Sequence, residues 1–484
     1  MEKNQKMTNY RWTICAMLFF ATTVNYLDRQ VLSLTFEEFI KPEFHWNDNH
    51  YGTITAFFSI LYAISMLFAG KFVDWMGTKK GFLWAIGVWS AGAVMHAGCG
   101  WITEMWLGYE NAAALIALEN GSAAAVAVAT VSMYAFLVAR AVLAIGEAGN
   151  FPAAIKTTAE YFPKKDRAYA TSIFNAGATI GALLAPITIP TMAKYFQGIG
   201  VGNGWEMAFI LVGALGFIWM GMWVFMYDKP AKSKYVNKAE LAYIEQDEED
   251  VTKTTVHEDK RMSFKEAFRY KQTWAFAAGK FMTDGVWWFF LFWTPSYIDS
   301  IFGIKASSTQ GVLMITVLYA ITMLSIYGGK LPTIIMNKTG MDPYAARMRA
   351  MLIFAFFPLL ALLAQPLGGI SPWFPIIIIG IAGAAHQSWS ANVFSTIGDM
   401  FPKYAIATIT GIGGMAGGIG SFIINKSSGA LFTHAEATNM TFMGFEGKPA
   451  GYFIIFSICA VAYLIGWSIM KSLVPKYKII EVKE

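Results

Sequence analysis

The sequence predicts an all-α membrane protein of twelve transmembrane helices, arranged as two six-helix bundles. Three observations carry the prediction. Only 14% of the 484 residues are charged and 56% are hydrophobic, whereas soluble domains carry roughly 25% charged residues. The deficit runs along the whole chain, with a mean hydropathy of +0.44. The apolar runs fall into six, then a polar stretch, then six more.

A spanning helix needs about 18–25 apolar residues. Such runs lie near 12–35, 51–73, 82–101, 128–150, 168–193 and 207–227. A second set lies near 274–300, 309–335, 350–366, 373–398, 405–431 and 451–472. Between them, 228–272 is polar, includes the run Glu245 to Asp250, and reads as a solvated cytoplasmic linker. The expected units are therefore 1–227, 228–272 and 273–484. The 102–127 segment has Glu104, Glu110 and Glu119 but no Lys or Arg. It is expected to form an extended outer loop with a helical tip.

Charge asymmetry sets orientation. One group of loops holds Lys71, Lys79 and Lys80, then Lys164, Lys165 and Arg167, then Lys338, Arg347, Arg349 and Lys403, with Lys471, Lys476 and Lys478 in the tail. Both termini and the linker are expected to be cytoplasmic, which requires an even number of spans. The net charge of +5 then serves topology and does not indicate a nucleic-acid partner. Lys3, Lys6 and Arg11 precede the first apolar run as in a signal peptide, but that run continues through Asn25 to Arg29 without a convincing cleavage site, so a retained helix is expected. Cys15, Cys99 and Cys459 are far apart, apolar in context, and suggest neither a disulfide framework nor a metal site.

Between the second and third runs stands Gly70-Lys71-Phe72-Val73-Asp74-Trp75-Met76-Gly77-Thr78-Lys79-Lys80. Its glycines are expected to permit close helix approach and a tight turn, and Asp74 to pair with a helix end or cation. Lys79 and Lys80 complete this structural and gating motif. A partial echo, Gly329-Lys330-Leu331-Pro332-Thr333 to Gly340, stands at the corresponding place in the second half. This motif, among twelve spans, resembles the signature of the major facilitator superfamily, with Trp75 where that family often has Arg. The resemblance implies a central cavity and alternating access.

A closer likeness is to the anion:cation symporter branch. It rests on Asn25-Tyr26-Leu27-Asp28-Arg29, on Arg140 to Glu147 with Ala148 to Ala154, and on Glu160 to Ala168. Within that branch, Lys280 to Phe290, and Ala385 to Asn392 with Asp399 to Pro402, resemble bacterial hexuronate transporters. The resemblance implies proton-coupled import of glucuronate or galacturonate across the inner membrane. Galactonate, glucarate or another organic anion is the alternative substrate, and a membrane sensor without transport is the remote one.

Charges inside apolar helices are costly and mark function when they face a cavity. Asp28, Arg29, Arg140, Glu147, Lys280 and Asp284 are of this kind. Arg140 and Glu147 are seven residues apart and share a helix face. Asp28 and Arg29 are neighbours and point differently. Arg29 is expected to grip a substrate carboxylate through its planar fork, with Arg140 assisting. Asp28 and Glu147 are expected to carry protons. The bland alternative is a static ion-pair network. Lys280 and Asp284, at i and i+4, can simply pair with each other, and their role stays open.

A polyol also needs hydrogen-bonding groups. Tyr26, Asn175, Gln387, Ser390 and Asn392 are candidates, with Asn392 favoured by the resemblance and Trp288 offering an aromatic face. His386 is undecided between a structural role and proton handling. Gly411 to Gly420, reading GIGGMAGGIG, suits close helix packing rather than phosphate binding, since no strand precedes it. Neither a nucleophile with its base nor a metal cluster nor a P-loop is apparent, so an enzyme or a primary pump is not expected, and no cofactor is. The expected partners are a small anionic sugar acid, protons and the lipid bilayer, with the protein a monomer.

Overall fold

The computed structural model describes residues 6–246 and 262–476, apart from 329 and 402, together with residues 478 and 480. The chain is almost wholly helical. The principal helices are α1 (Tyr10–Thr35), α2 (Asp48–Met76), α3 (Thr78–Ala97), α4 (Cys99–Leu107), α5 (Ala112–Ile116), α6 (Ala123–Glu147), α7 (Asn150–Tyr161), α8 (Lys164–Gly198) and α9 (Trp205–Met226). After α10 (Lys238–Ile244) follow α11 (Lys271–Phe302), α12 (Thr309–Thr322), α13 (Pro343–Phe356), α14 (Trp373–Met400), α15 (Lys403–Thr438) and α16 (Lys448–Leu473).

Among the described residues, six helices are long and apolar enough to cross a membrane, or seven with the bent α3–α4 pair taken as one. The chain is thus a membrane protein of several spans. The remaining long helices, α1, α11, α14 and α15, match these in length but carry polar and charged residues. Asp28 and Arg29 lie in α1, and Lys280 and Asp284 in α11. The expected eighth span is interrupted, whereas the ninth runs unbroken over Pro343–Gly368 with a local change of helix type. α12 stops at Thr322 before short helices at Ser325–Gly328 and Leu331–Thr339, and α13 passes into a 3₁₀ turn over Phe357–Leu363.

The 102–127 segment is more structured than an extended loop. α4 bends 47° from α3 and leaves Trp101, Met105 and Trp106 exposed. α5 then reaches the end of the first helix, where His45 contacts Asn120 Oδ1 at 2.5 Å and the Leu115 carbonyl at 2.8 Å. The α15–α16 connection is a two-residue hairpin pairing Thr441 with Glu446. Met443 and Gly444 both have positive φ at its turn, as tight hairpins require.

The linker is not simply solvated. Glu240 of α10 is fully buried. It pairs with Arg11 at 3.0 Å and accepts from the Tyr10 and Arg11 amides at the start of α1. A carboxylate there meets unpaired helix N–H groups. Most of the acidic run, from Asp247 on, lies outside the described residues.

The loop motif divides its glycines. Gly77 has φ of 78° and makes the tight turn. Gly70 has open space around it; Gly81 instead allows the close approach, since a Cβ there would lie 3.0 Å from the Val73 Cα. Lys79 pairs with Asp228 at 2.9 Å, Lys80 is exposed, and the Asp74 side chain and Gly329 lie outside the described atoms. All three cysteines are free and buried.

Beyond Thr35 the first helix continues as a π turn to Ile40 and one more turn to Phe44. Thirty-five helical residues measure about 50 Å, more than the hydrocarbon core, so this end projects past the membrane. There Glu43 is buried and accepts from Trp205 Nε1 at 2.7 Å and Asn203 Nδ2 at 2.8 Å. Burial pushes its carboxyl from 4.5 up to about 8, despite those two donors. The unfolded chain ionises this group near 4.5 and the folded protein near 8. Stability from this group is therefore complete below the lower value and declines as pH rises to the upper one. The expected result is that Glu43→Gln gains melting temperature over the parent progressively between pH 5 and 8. A pH-independent difference between the two melting curves would show that Glu43 does not carry this dependence.

Candidate functional site

The buried charges gather where α1, α3 and α6 meet. Small residues bring these helices together. A Cβ on Gly146 of α6 would lie 2.2 Å from the Trp89 amide nitrogen, and one on Gly181 of α8 would lie 2.4 Å from the Thr23 carbonyl oxygen. The backbones thus touch, and α1 is pressed against α8 while α6 is pressed against α3.

Arg29 donates Nε at 3.0 Å and Nη2 at 2.7 Å to the same oxygen of Glu147. Nη2 also reaches Asn25 Oδ1 at 3.5 Å. Asp28 points away, as adjacent helical residues must, and accepts from Trp89 Nε1 at 2.6 Å. The ion pair therefore crosses from α1 to α6. It links neither Asp28 with Arg29 nor Arg140 with Glu147. Arg29 lies among aromatic rings, with its Cζ 4.9 Å from Tyr62, 4.9 Å from Trp288, 5.1 Å from Tyr26 and 6.0 Å from Phe58. Such faces attract a guanidinium. Trp288 comes from α11, so this cage joins both halves of the chain.

Arg140 is 2% exposed, and its Nε and Nη1 have no hydrogen-bond partner. Its Cζ lies 5.2 Å from the Phe58 ring. Oδ1 of Asp28, Oε1 of Glu147 and Nδ2 of Asn25 are likewise buried and unpartnered. A buried polar group without a partner costs roughly 1–3 kcal/mol. Several together leave hydrogen-bonding capacity unfilled at this cluster.

The second-half candidates separate. Lys280 pairs with Asp284 at 2.7 Å. His386 is buried, contacts Tyr463 Oη at 2.7 Å and stacks on Trp287, an arrangement that satisfies a structural histidine. Asn392 is buried and donates back to the Ser388 carbonyl of its own helix, so its amide is turned inward. Gln387 and Ser390 are half-buried. Asn175 is exposed on α8, about 200° around the helix from Gly177, which contacts α1, and so stands apart from the cluster.

Sequence reasoning missed Trp89, Phe58, Tyr62 and Asn25. Asn25 carried a signal, since it precedes Arg29 by four residues and shares its face. The aromatics carried none, being indistinguishable from lipid-facing residues. A second group was also missed. At one end of the molecule, Lys448 of α16 lies 2.8 Å from Asp48 and 3.8 Å from Glu37. The Asp48 contact is off the hydrogen-bond direction and acts through charge. Lys41 pairs with Glu37 at 2.9 Å, Ser296 donates to Glu37, and Tyr51 donates to the Phe292 carbonyl at 2.6 Å. The contacts of Lys448, Ser296 and Tyr51 tie the first half of the chain to the second at the end expected to face outward.

The sequence profile of the Major Facilitator Superfamily matches residues 18–424. The chain belongs to this superfamily. It is therefore a transporter-family protein and not an enzyme. It is similar to the hexuronate transporter of Escherichia coli (strain K12), 26% identical over 482 residues that cover 99% of this chain and 98% of that one. It is also similar to a probable galactarate/D-glucarate transporter of the same strain, 24% identical over 69% of each chain. Among solved structures, the D-xylose-proton symporter shares the fold with a TM-score of 0.67, at 15% identity over 95% of this chain and 98% of that one.

Proposed function

We propose that this protein imports hexuronates, glucuronate or galacturonate, by proton symport with alternating access, as twelve spans in two bundles with both termini cytoplasmic. The Arg29–Glu147 pair, beside an Arg140 whose Nε and Nη1 lack hydrogen-bond partners, carries this reading. Two acids and two arginines make the buried cluster neutral. One carboxylate entering alone would leave it charged in a medium that penalises charge. A carboxylate entering with one proton leaves it neutral.

The geometry supplies a route. Glu147 occupies two donors of Arg29 with one oxygen. Protonation of Glu147 removes the charge that holds them, and the guanidinium fork becomes available for bidentate contact with the sugar carboxylate. Asp28 serves as the companion proton carrier near Arg140. Tyr26 and Trp288 flank the sugar, while Gln387 and Ser390 supply hydrogen bonds from the second half. Asn392 and Asn175 would join after side-chain or helix movement. Substrate and proton thus stabilise the same rearrangement, which is what coupling requires.

A six-carbon dicarboxylate is the second reading, favoured by the likeness to a galactarate/D-glucarate transporter. Uptake of labelled sugar acids into proteoliposomes under imposed pH and sodium gradients tests both. Uronate accumulation driven by an inward proton gradient is the expected result. Uptake of another solute with no uronate accumulation, or a response to sodium alone, would overturn the proposal.

A further inference from the structure

The ion pair formed by Lys280 and Asp284 has no place in the route above, yet it lies on the side of α11 that carries Trp288, which packs on Arg29. Asp284 precedes Trp288 by four residues and Lys280 precedes it by eight, so all three follow one side of α11. Trp288 reaches Arg29. Asp284 lies about 6 Å further along the axis, and Lys280 about 12 Å. Lys280 reaches back to Asp284, which brings its ammonium towards the Arg29 level. Between Lys271 and Asp299 these are the only charged residues of α11.

Neighbouring helices accommodate the pair. A Cβ on Gly417 of α15 would lie 2.2 Å from Asp284 Oδ2, so that glycine makes room for the carboxylate. The Lys280 Nζ lies 4.4 Å from the centre of the Phe394 ring on α14. Gln387 stands seven residues before Phe394, on the same face of α14. Their side chains are 7% and 14% exposed, so neither is wholly enclosed.

We propose that Lys280 is a second anion-binding group, held neutral by Asp284, and that this pair restricts the cavity to sugar acids with one carboxylate. The inference rests on the sugar-acid reading above. A hexuronate ends in a carboxylate at one terminus and an uncharged group at the other. The first finds Arg29, and the second passes an already neutral pair without charge penalty. A six-carbon dicarboxylate brings a second negative charge to the far end, where Lys280 is occupied and Asp284 repels it. Discrimination comes from repulsion as well as attraction.

The test is competition binding to the purified full-length protein, with glucuronate and galactarate as the two probes. In the unmodified protein glucuronate should bind more tightly. Asp284→Asn, or the smaller Asp284→Ser if the amide crowds Gly417, exposes the Lys280 charge and should shift the galactarate-to-glucuronate affinity ratio towards galactarate by roughly tenfold. The double variant Lys280→Gln/Asp284→Asn contains no free charge and should show no such shift. An unchanged ratio in both single variants, or an equal shift in the double variant, would overturn the inference while leaving hexuronate binding intact. Failure of the unmodified protein to bind either acid would overturn the sugar-acid reading and this inference together. If a variant does not fold, the remaining single variant and the double variant still decide the question.

Discussion

Glu147→Gln is expected to abolish proton-driven accumulation while sparing exchange. The amide oxygen of glutamine can still accept from Arg29, as a protonated glutamic acid does, but it has no charge and cannot release a proton. The variant should therefore stand permanently in the substrate-ready arrangement. In proteoliposomes its accumulation ratio under an imposed pH gradient should fall to about unity. Counterflow of labelled uronate against unlabelled uronate should persist within a few-fold of the parent rate. Affinity supplies a second readout. In the unmodified protein two charge-assisted hydrogen bonds hold Arg29 on Glu147, each worth roughly 1.5–3 kcal/mol. Substrate must displace them once Glu147 is ionised, so affinity should weaken as pH rises. The variant lacks this competition, and its uronate affinity should be nearly independent of pH. Accumulation that survives the substitution would assign proton transfer elsewhere, with Asp28 the next group to replace.

Much of this cluster is legible in the sequence. Charges in apolar helices are rare enough that Asp28, Arg29, Arg140 and Glu147 stand out by composition alone, and helical spacing separates the directions of Asp28 and Arg29. Spacing along one helix cannot say which residue of another helix completes a pair. That depends on approach distances set by Gly146 and Gly181, and on the rotation of α1 against α6. Hence Arg29 with Glu147 emerged only from the fold. Trp288 was recognised as an aromatic candidate, but its partner Arg29 lies some 259 positions away, beyond any local pattern. The ninth span, which stays continuous but changes helix type, illustrates a different limit. Hydropathy marks where a chain crosses the bilayer, yet it is insensitive to a 3₁₀ turn such as Phe357–Leu363, which preserves apolar character while losing helical register.

The seam between α2 and α15 carries the other large effect. The run GIGGMAGGIG serves two neighbours at once. A Cβ on Gly418 would lie 2.2 Å from the Ala63 Cβ of α2, while one on Gly420 would lie 2.1 Å from the Phe281 carbonyl oxygen of α11. Further along, towards the end expected to face outward, Gly52 and Gly429 meet directly. A Cβ on Gly52 would stand 2.9 Å from the Gly429 Cα, and one on Gly429 would stand 2.4 Å from the Asp48 carbonyl oxygen. Backbone atoms cannot yield as a side-chain tip can, so Gly429→Val must separate the two helices. Overpacking of this kind costs about 1–3 kcal/mol or more, and 1.4 kcal/mol is already tenfold in an equilibrium. The separation also pulls Lys448 from Asp48, weakening the ionic tie at the same end. Gly429→Val should therefore hold this end open and reduce uptake by at least about tenfold. Spin labels on His50 and Glu436, which line a cleft of about 670 Å³ there, should move apart in the variant. The native cysteines are buried, which favours labelling at introduced sites. Unchanged label distances with unimpaired uptake would show that this end does not close through the glycine contact.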